Sequence, residues 1–113
     1  MKKQIFTGSG VALVTPFKGE ERAVNYDKLA ELLEFHIENG TDALIILGTT
    51  GECATMSMEE HCDVLEFCAN KAKGRITLIA GTGSNDTNSA IHLSQFAESV
   101  GYDGLLVVTP YYN

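Results

Sequence analysis

Two threonine hydroxyls stand between two glycines and ahead of a carboxylate in Gly48-Thr49-Thr50-Gly51-Glu52. A hydroxyl both donates and accepts a hydrogen bond, and glycine lets backbone turn tightly around a small group. Such a stretch can hold a small anion or pass a proton. The same residues also suit a strand-to-helix turn with no ligand, and local pattern alone does not choose. A second set is Tyr111-Tyr112. A tyrosine hydroxyl can carry a proton, but two loop aromatics packing at an edge or subunit contact is the favoured local reading. Gly81-Thr82-Gly83-Ser84-Asn85-Asp86 is like a phosphate-binding loop. A dinucleotide fingerprint needs a third glycine where Asp86 stands, and a carboxylate there would repel a pyrophosphate, so a capped loop is preferred. His36, His61 and His92 fall on separate predicted helices without His-x-x-x-His spacing, so no metal site is expected.

The elements that must position these groups follow from periodicity. Ala43-Leu44-Ile45-Ile46-Leu47 is an unbroken apolar run, as in a parallel strand buried on both faces. The threonines then lie just past its C-terminal end, where ligands bind in parallel α/β folds. Gly10 to Phe17 reads as an earlier strand whose ladder stops at Thr15, because Pro16 lacks an N–H. Lys18 to Arg22 reads as a polar turn. Asn25 is the expected N-cap of a helix reaching Asn39, with Tyr26, Leu29, Ala30, Leu33 and Ile37 on one face and Gly40 as its stop. Ser57-Met58-Glu59-Glu60 is a capping box opening a helix to about Lys71, with His61, Leu65, Cys68, Ala69 and Ala72 on one face. A third strand spans Ile76 to Ala80. A third helix starts near Asp86 or Thr87 and ends at Gly101, and a fourth strand covers Leu105 to Val108.

The order is β-α-β-α-β-α-β, with strand starts roughly 30 residues apart, the length of one βα unit. Gly40-Thr41-Asp42-Ala43-Leu44 echoes Gly101-Tyr102-Asp103-Gly104-Leu105. A repeated βα unit fits either a barrel or an open doubly wound sheet.

At 113 residues the chain has the length of one domain, and its net charge of −7 argues against nucleic acid and anionic membranes as partners. No apolar run approaches the ~18 residues of a membrane span, and the N-terminus lacks a signal-peptide core. Cys53, Cys62 and Cys68 are odd in number and show no framework spacing. Reduced thiols in a cytoplasmic protein are expected.

Gly48 to Glu52, Ala80-Gly81-Thr82-Gly83, Thr109-Pro110-Tyr111-Tyr112-Asn113 and the opening Gly8 to Phe17 together resemble the dihydrodipicolinate synthase (4-hydroxy-tetrahydrodipicolinate synthase) family. The resemblance covers essentially all 113 residues in order. N-acetylneuraminate lyases usually carry Gly-Ser-Thr-Gly-Glu at the first motif and lack the Tyr-Tyr-Asn ending. The resemblance implies a (β/α)8 TIM barrel, of which residues 1–113 supply about three and a half βα units with parallel strands in order 1-2-3-4. It implies a lyase of lysine and diaminopimelate biosynthesis, of class I aldolase type, without metal or cofactor. Pyruvate forms a Schiff base with a barrel lysine and its enamine attacks L-aspartate-4-semialdehyde. It assigns Thr50 to the pyruvate carboxylate and Thr49 to a proton relay with two tyrosines, one of them Tyr112, which reaches a neighbouring subunit's site in a homo-oligomer. His61, Asn85 and Tyr111 match positions used in feedback inhibition by lysine. Met58 and Ser89 occupy two other ligand positions, Ser89 in place of a carboxylate, and Cys53 replaces a common serine.

A whole barrel needs ~250 residues. The resemblance places the Schiff-base lysine, the second relay tyrosine and a carboxylate-binding arginine past Asn113, and none of the lysines present falls in a predicted strand. The expectation is that these 113 residues alone are inactive and that their bare edge strands drive self-association. The alternatives are a related pyruvate aldolase, of neuraminate or keto-gluconate lyase type, and a non-enzymatic doubly wound ligand-binding domain. Strand order separates barrel from doubly wound sheet.

Overall fold

A computed structural model describes residues 4–108. In chain order its elements are β1 (Gly10–Ala12), β2 (Phe17–Lys18), β3 (Ala23–Val24), α1 (Tyr26–Glu38), β4 (Ala43–Ile46), α2 (Met58–Ala72), β5 (Thr77–Gly81), α3 (Thr87–Val100) and β6 (Gly104–Leu106). Single 3₁₀ turns at Thr49–Gly51 and Cys53–Thr55 join β4 to α2. The main sheet is parallel throughout, in the order β1-β4-β5-β6. That order never reverses, and α2 packs between α1 and α3. The topology is an arc of a (β/α) barrel; a doubly wound sheet would show a reversal.

The helix ends lie where local chemistry puts them. Asn25 Oδ1 accepts from the Lys28 N–H at 3.1 Å. Ser57 and Glu60 form both bonds of the capping box, each 3.1 Å. Gly40 and Gly101 stop α1 and α3 at φ +77° and +96°. Asp86 precedes α3 as expected but does not cap it; its carboxylate accepts from Ser89 Oγ instead, at 2.6 Å.

Strand ends differ more from expectation. The Leu13 N–H still reaches Ile45 O at 3.0 Å, but β4 stops at Ile46, because Leu47 turns left-handed at φ +59°. The chain beyond Leu13 therefore leaves the parallel ladder, β1 is only three residues long, and Phe17, the end of the expected strand, pairs instead with Val24 in β3. The predicted polar turn is the tip of a β2–β3 hairpin, bent at Gly19 and Arg22, both at positive φ. This puts Lys18 in a strand, against expectation, though outside the parallel sheet. The last strand begins at Gly104 and ends at Leu106, so Val107 and Val108 leave the ladder.

The core joins sheet to helices. Leu44, Ile46, Leu78 and Ala80 are buried with Leu29 and Leu33 of α1 and Val64, Leu65 and Cys68 of α2. The alternate positions Ile45 and Ile79 are only half-buried, so β4 is not sealed on both faces. At the other end of the strands the sequence echo acquires a structure. Asp42 donates its N–H to Ser9 O and accepts the Ser9 N–H on Oδ2. Asp103 does the same with Leu78, donating to its carbonyl and accepting its N–H, both at 2.9 Å. Each aspartate ties its strand to the preceding neighbour through two hydrogen bonds.

Among the described residues no helix is long and apolar enough to cross a membrane. Among them, too, β1 and β6 each have one strand neighbour in the parallel sheet. Leu105, Leu106, Val107 and Val108 are each at least 41% exposed. A contiguous apolar strip beside an open strand edge favours pairing with another chain. Light scattering on the 113-residue chain at micromolar concentration should therefore read a mass above that of one chain; a clean monomer would contradict this.

Candidate functional site

A cavity of about 410 Å³ opens at the C-terminal ends of β4, β5 and β6. Gly48 and Thr49 supply one wall, Gly81 and Gly83 a second, and Leu106 and Val108 a third, with Cys53 and Ala54 closing the side toward α2. Thr49 begins the 3₁₀ turn after β4. Thr50 lies in the same turn, exposed, and is not on the cavity wall. The structure thus places one of the two threonines at the cavity and the other beside it.

Several contacts fix this turn. Buried Thr15 donates its hydroxyl to Gly51 O at 2.7 Å, tying the segment after β1 to the segment after β4. Gly51 is packed so that a Cβ would lie 3.2 Å from Leu13 O. Leu47 and Glu52 flank the turn in left-handed conformations, φ +59° and +63°. Such conformations cost non-glycine residues of order 1–3 kcal/mol and persist where surroundings hold them. Gly81 meets the Leu47–Gly48 peptide closely enough that a Cβ there would stand 2.2 Å from Leu47 O. Thr82, fully buried, donates its N–H to Leu106 O and accepts Ser94 Oγ–H at 2.8 Å.

A second cavity of about 240 Å³ lies behind the first, between the starts of α2 and α3. It brings together His61 and Asn85, and with them Met58 and Ser89. Cys53, Ala54 and Gly83 line both cavities, so they form a shared wall. Tyr111 and Tyr112 lie outside the described residues.

The titrating groups here are held neutral. His61 is 5% exposed, and its Nε2 lies 2.8 Å from Gly81 O. A carbonyl only accepts, so Nε2 carries the proton. Burial lowers the His61 pKa below 6.5, and the bond to Gly81 offsets part of that. Burial pushes the Cys53 thiol up, so it is not poised as a thiolate nucleophile.

Of the residues expected from the sequence, Thr49 lines the first cavity and His61 and Asn85 the second; the contacts of Thr15 and Thr82 and the steric role of Gly81 were not among those expectations. The available signals were a hydroxyl before Pro16 and a threonine between two glycines.

A run of βα units in unreversed parallel order, with a cavity at the C-terminal ends of its strands, defines a (β/α)-barrel architecture. Within that class, the chain belongs to the dihydrodipicolinate synthetase family, whose profile matches residues 5–113. It is 58% identical over 113 residues to the 4-hydroxy-tetrahydrodipicolinate synthase of Acetivibrio thermocellus, covering all of this chain and 38% of that protein. It is 59% identical over 109 residues to the same-named enzyme of Clostridium tetani, covering 96% of this chain and 36% of that one. The crystal structure of dihydrodipicolinate synthase from Aquifex aeolicus superposes with a TM-score of 0.91 at 56% identity, over 96% of this chain and 36% of that one. The chloride-inhibited, pyruvate-complexed enzyme from Acinetobacter baumannii gives 0.91 at 47% identity, over 97% and 37%. The chain therefore spans little more than a third of the length of these relatives.

Because His61 binds a proton less readily when folded than when unfolded, its contribution to stability is present above the unfolded pKa of about 6.5 and is lost as pH falls below it. The difference in urea midpoint between wild type and His61→Gln, which cannot titrate, should shift against wild type between about pH 7 and pH 5. A pH-independent difference would contradict burial of a neutral ring.

Proposed function

We propose that residues 1–113 form part of one TIM-barrel domain of a 4-hydroxy-tetrahydrodipicolinate synthase. The reaction is the lyase-type condensation of pyruvate, held as a Schiff base, with L-aspartate-4-semialdehyde in lysine biosynthesis. Thr50 binds the pyruvate carboxylate and Thr49 relays a proton with Tyr112, in a cytoplasmic homo-oligomer. The observation that carries this reading is Thr49 on the wall of the strand-end cavity, in a chain 58% identical to a synthase of that name. The pyruvate-complexed relative from Acinetobacter baumannii supports the choice of keto acid.

The cavity chemistry is compatible with an anionic substrate. Among the described residues no acidic side chain lines either cavity. A hydroxyl relay needs its members within hydrogen-bond reach, and Thr49 sits in a turn pinned by Thr15 and by the packed glycines. The second cavity, with His61 and Asn85, together with Tyr111, is the proposed seat of lysine regulation. Ser89 there cannot supply the negative charge an ammonium group needs.

A Schiff base needs a lysine at the cavity. Among the described residues, Lys18 is on β2, Lys28 on α1, Lys71 on α2 and Lys73 just beyond it, and none of these lines either cavity. Borohydride reduction with labelled pyruvate should leave no adduct on the 113-residue chain; a stable adduct would overturn the proposed inactivity. Joined to the remaining barrel of the Acetivibrio thermocellus relative, the chain should form the adduct and turn over. In that protein Thr49→Val should lower kcat by about 10²–10⁴-fold, and Thr50→Val should raise KM for pyruvate. Unchanged kinetics in both variants would sink the assignment.

A further inference from the structure

One buried group, the imidazole of His61, has no task in the proposed reaction. Its position is determined twice over. The capping box of Ser57 and Glu60 fixes the first turn of α2, and His61 follows directly, with its own N–H on Ser57 O at 3.0 Å. From there the ring crosses to the last residue of β5, placing Nε2 2.8 Å from Gly81 O. Gly81 is the residue with no room for a side chain against Leu47 O, and its Cα packs on the Leu47–Gly48 peptide. Leu47 is left-handed, a conformation its branched side chain does not favour, and the Thr49–Gly51 turn follows at once.

We propose that His61 is a positioning residue: by donating Nε2–H to the Gly81 carbonyl it seats the end of β5 against the Leu47–Gly48 peptide and so holds Thr49 at the cavity. This rests on the reading of Thr49 as a site residue and adds the element that places it. Gly81 is tethered from the α2 side by His61, and its neighbour Thr82 from the α3 side by Ser94. With both tethers present, the end of β5 cannot slide away from Leu47, and the left-handed turn has no room to relax. Without the imidazole donor, the Gly81 carbonyl would be left buried and unpaired, and strand and turn would move to find it a partner.

The test is nuclear magnetic resonance on the ¹⁵N-labelled 113-residue chain at neutral pH, without pyruvate. The wild-type ring should show the Nε2–H tautomer. In His61→Leu the amide resonances of Leu47, Gly48 and Thr49 should move, and in His61→Gln, whose terminal amide donates from a similar place, they should return toward wild type. Leu65→Ala removes buried volume from the same helix. It should lower the unfolding midpoint while leaving those three resonances in place. An Nδ1–H tautomer in the wild type, unmoved resonances in His61→Leu, or the same movement in Leu65→Ala would each overturn the proposal. Should His61→Leu fail to fold, the wild-type tautomer and His61→Gln decide it, and loss of the wild-type pattern in His61→Gln overturns it. No readout involves pyruvate, so a failed adduct experiment and a failed positioning role are told apart.

Discussion

The contact of Gly81 with the Leu47–Gly48 peptide is the constraint on which the site depends. Parallel strands lie near 4.8 Å apart, and their ends ordinarily diverge into loops. Here β4 leaves the ladder through a left-handed leucine and crosses back over the end of β5, at a distance no Cβ could share. Two threonines are thereby presented at the rim instead of continuing along the strand. Thr15 reinforces the crossing from the β1 side by gripping Gly51 O.

The electrostatics follow the same division. The chain carries a net charge of −7, yet among the described residues the strand-end cavity is walled mainly by small and apolar groups with Thr49, and the second adds the His61 imidazole and the Asn85 amide but no carboxylate. Acidic residues gather instead near the hairpin, where Glu21, Glu52 and Glu60 share a surface hollow with Arg22. A cavity wall without fixed negative charge does not repel an anion. Cys53 belongs to both cavities as a protonated thiol, adding a weakly polar surface and no charge.

What could be read from the sequence was what neighbouring residues decide. Asn25 and the Ser57–Glu60 box marked helix starts because caps are made within three or four residues. Gly48 and Gly51 marked the threonine turn for the same reason, and the repeated Gly-x-Asp pattern marked equivalent strand starts. Strand ends were less legible, since β1 shortens only because β4 turns away at Leu47. The links of Thr15 to Gly51 and of His61 to Gly81 join residues 36 and 20 positions apart. Such links exist only after the sheet has formed, and nothing local announces them. His61 was placed correctly on the buried face of its helix, but its carbonyl partner was not foreseeable.

The aspartates at the opposite rim divide the sheet in an uneven way. Asp42 staples β4 to the start of β1, and Asp103 staples β6 to β5, whereas Ile76 stands before β5 and offers β4 no carboxylate. The arc is thus two riveted pairs of strands meeting along a seam between β4 and β5. That seam is spanned on the outside by the exposed Glu34–Arg75 pair and at the far rim by the Leu47–Gly81 crossing. Sequence drift within either pair is constrained by its rivet. Change along the seam is constrained by its own ladder, with four paired positions the longest of the sheet, and at the pocket end by the Leu47–Gly81 crossing, so there one backbone contact serves both the sheet and the cavity wall.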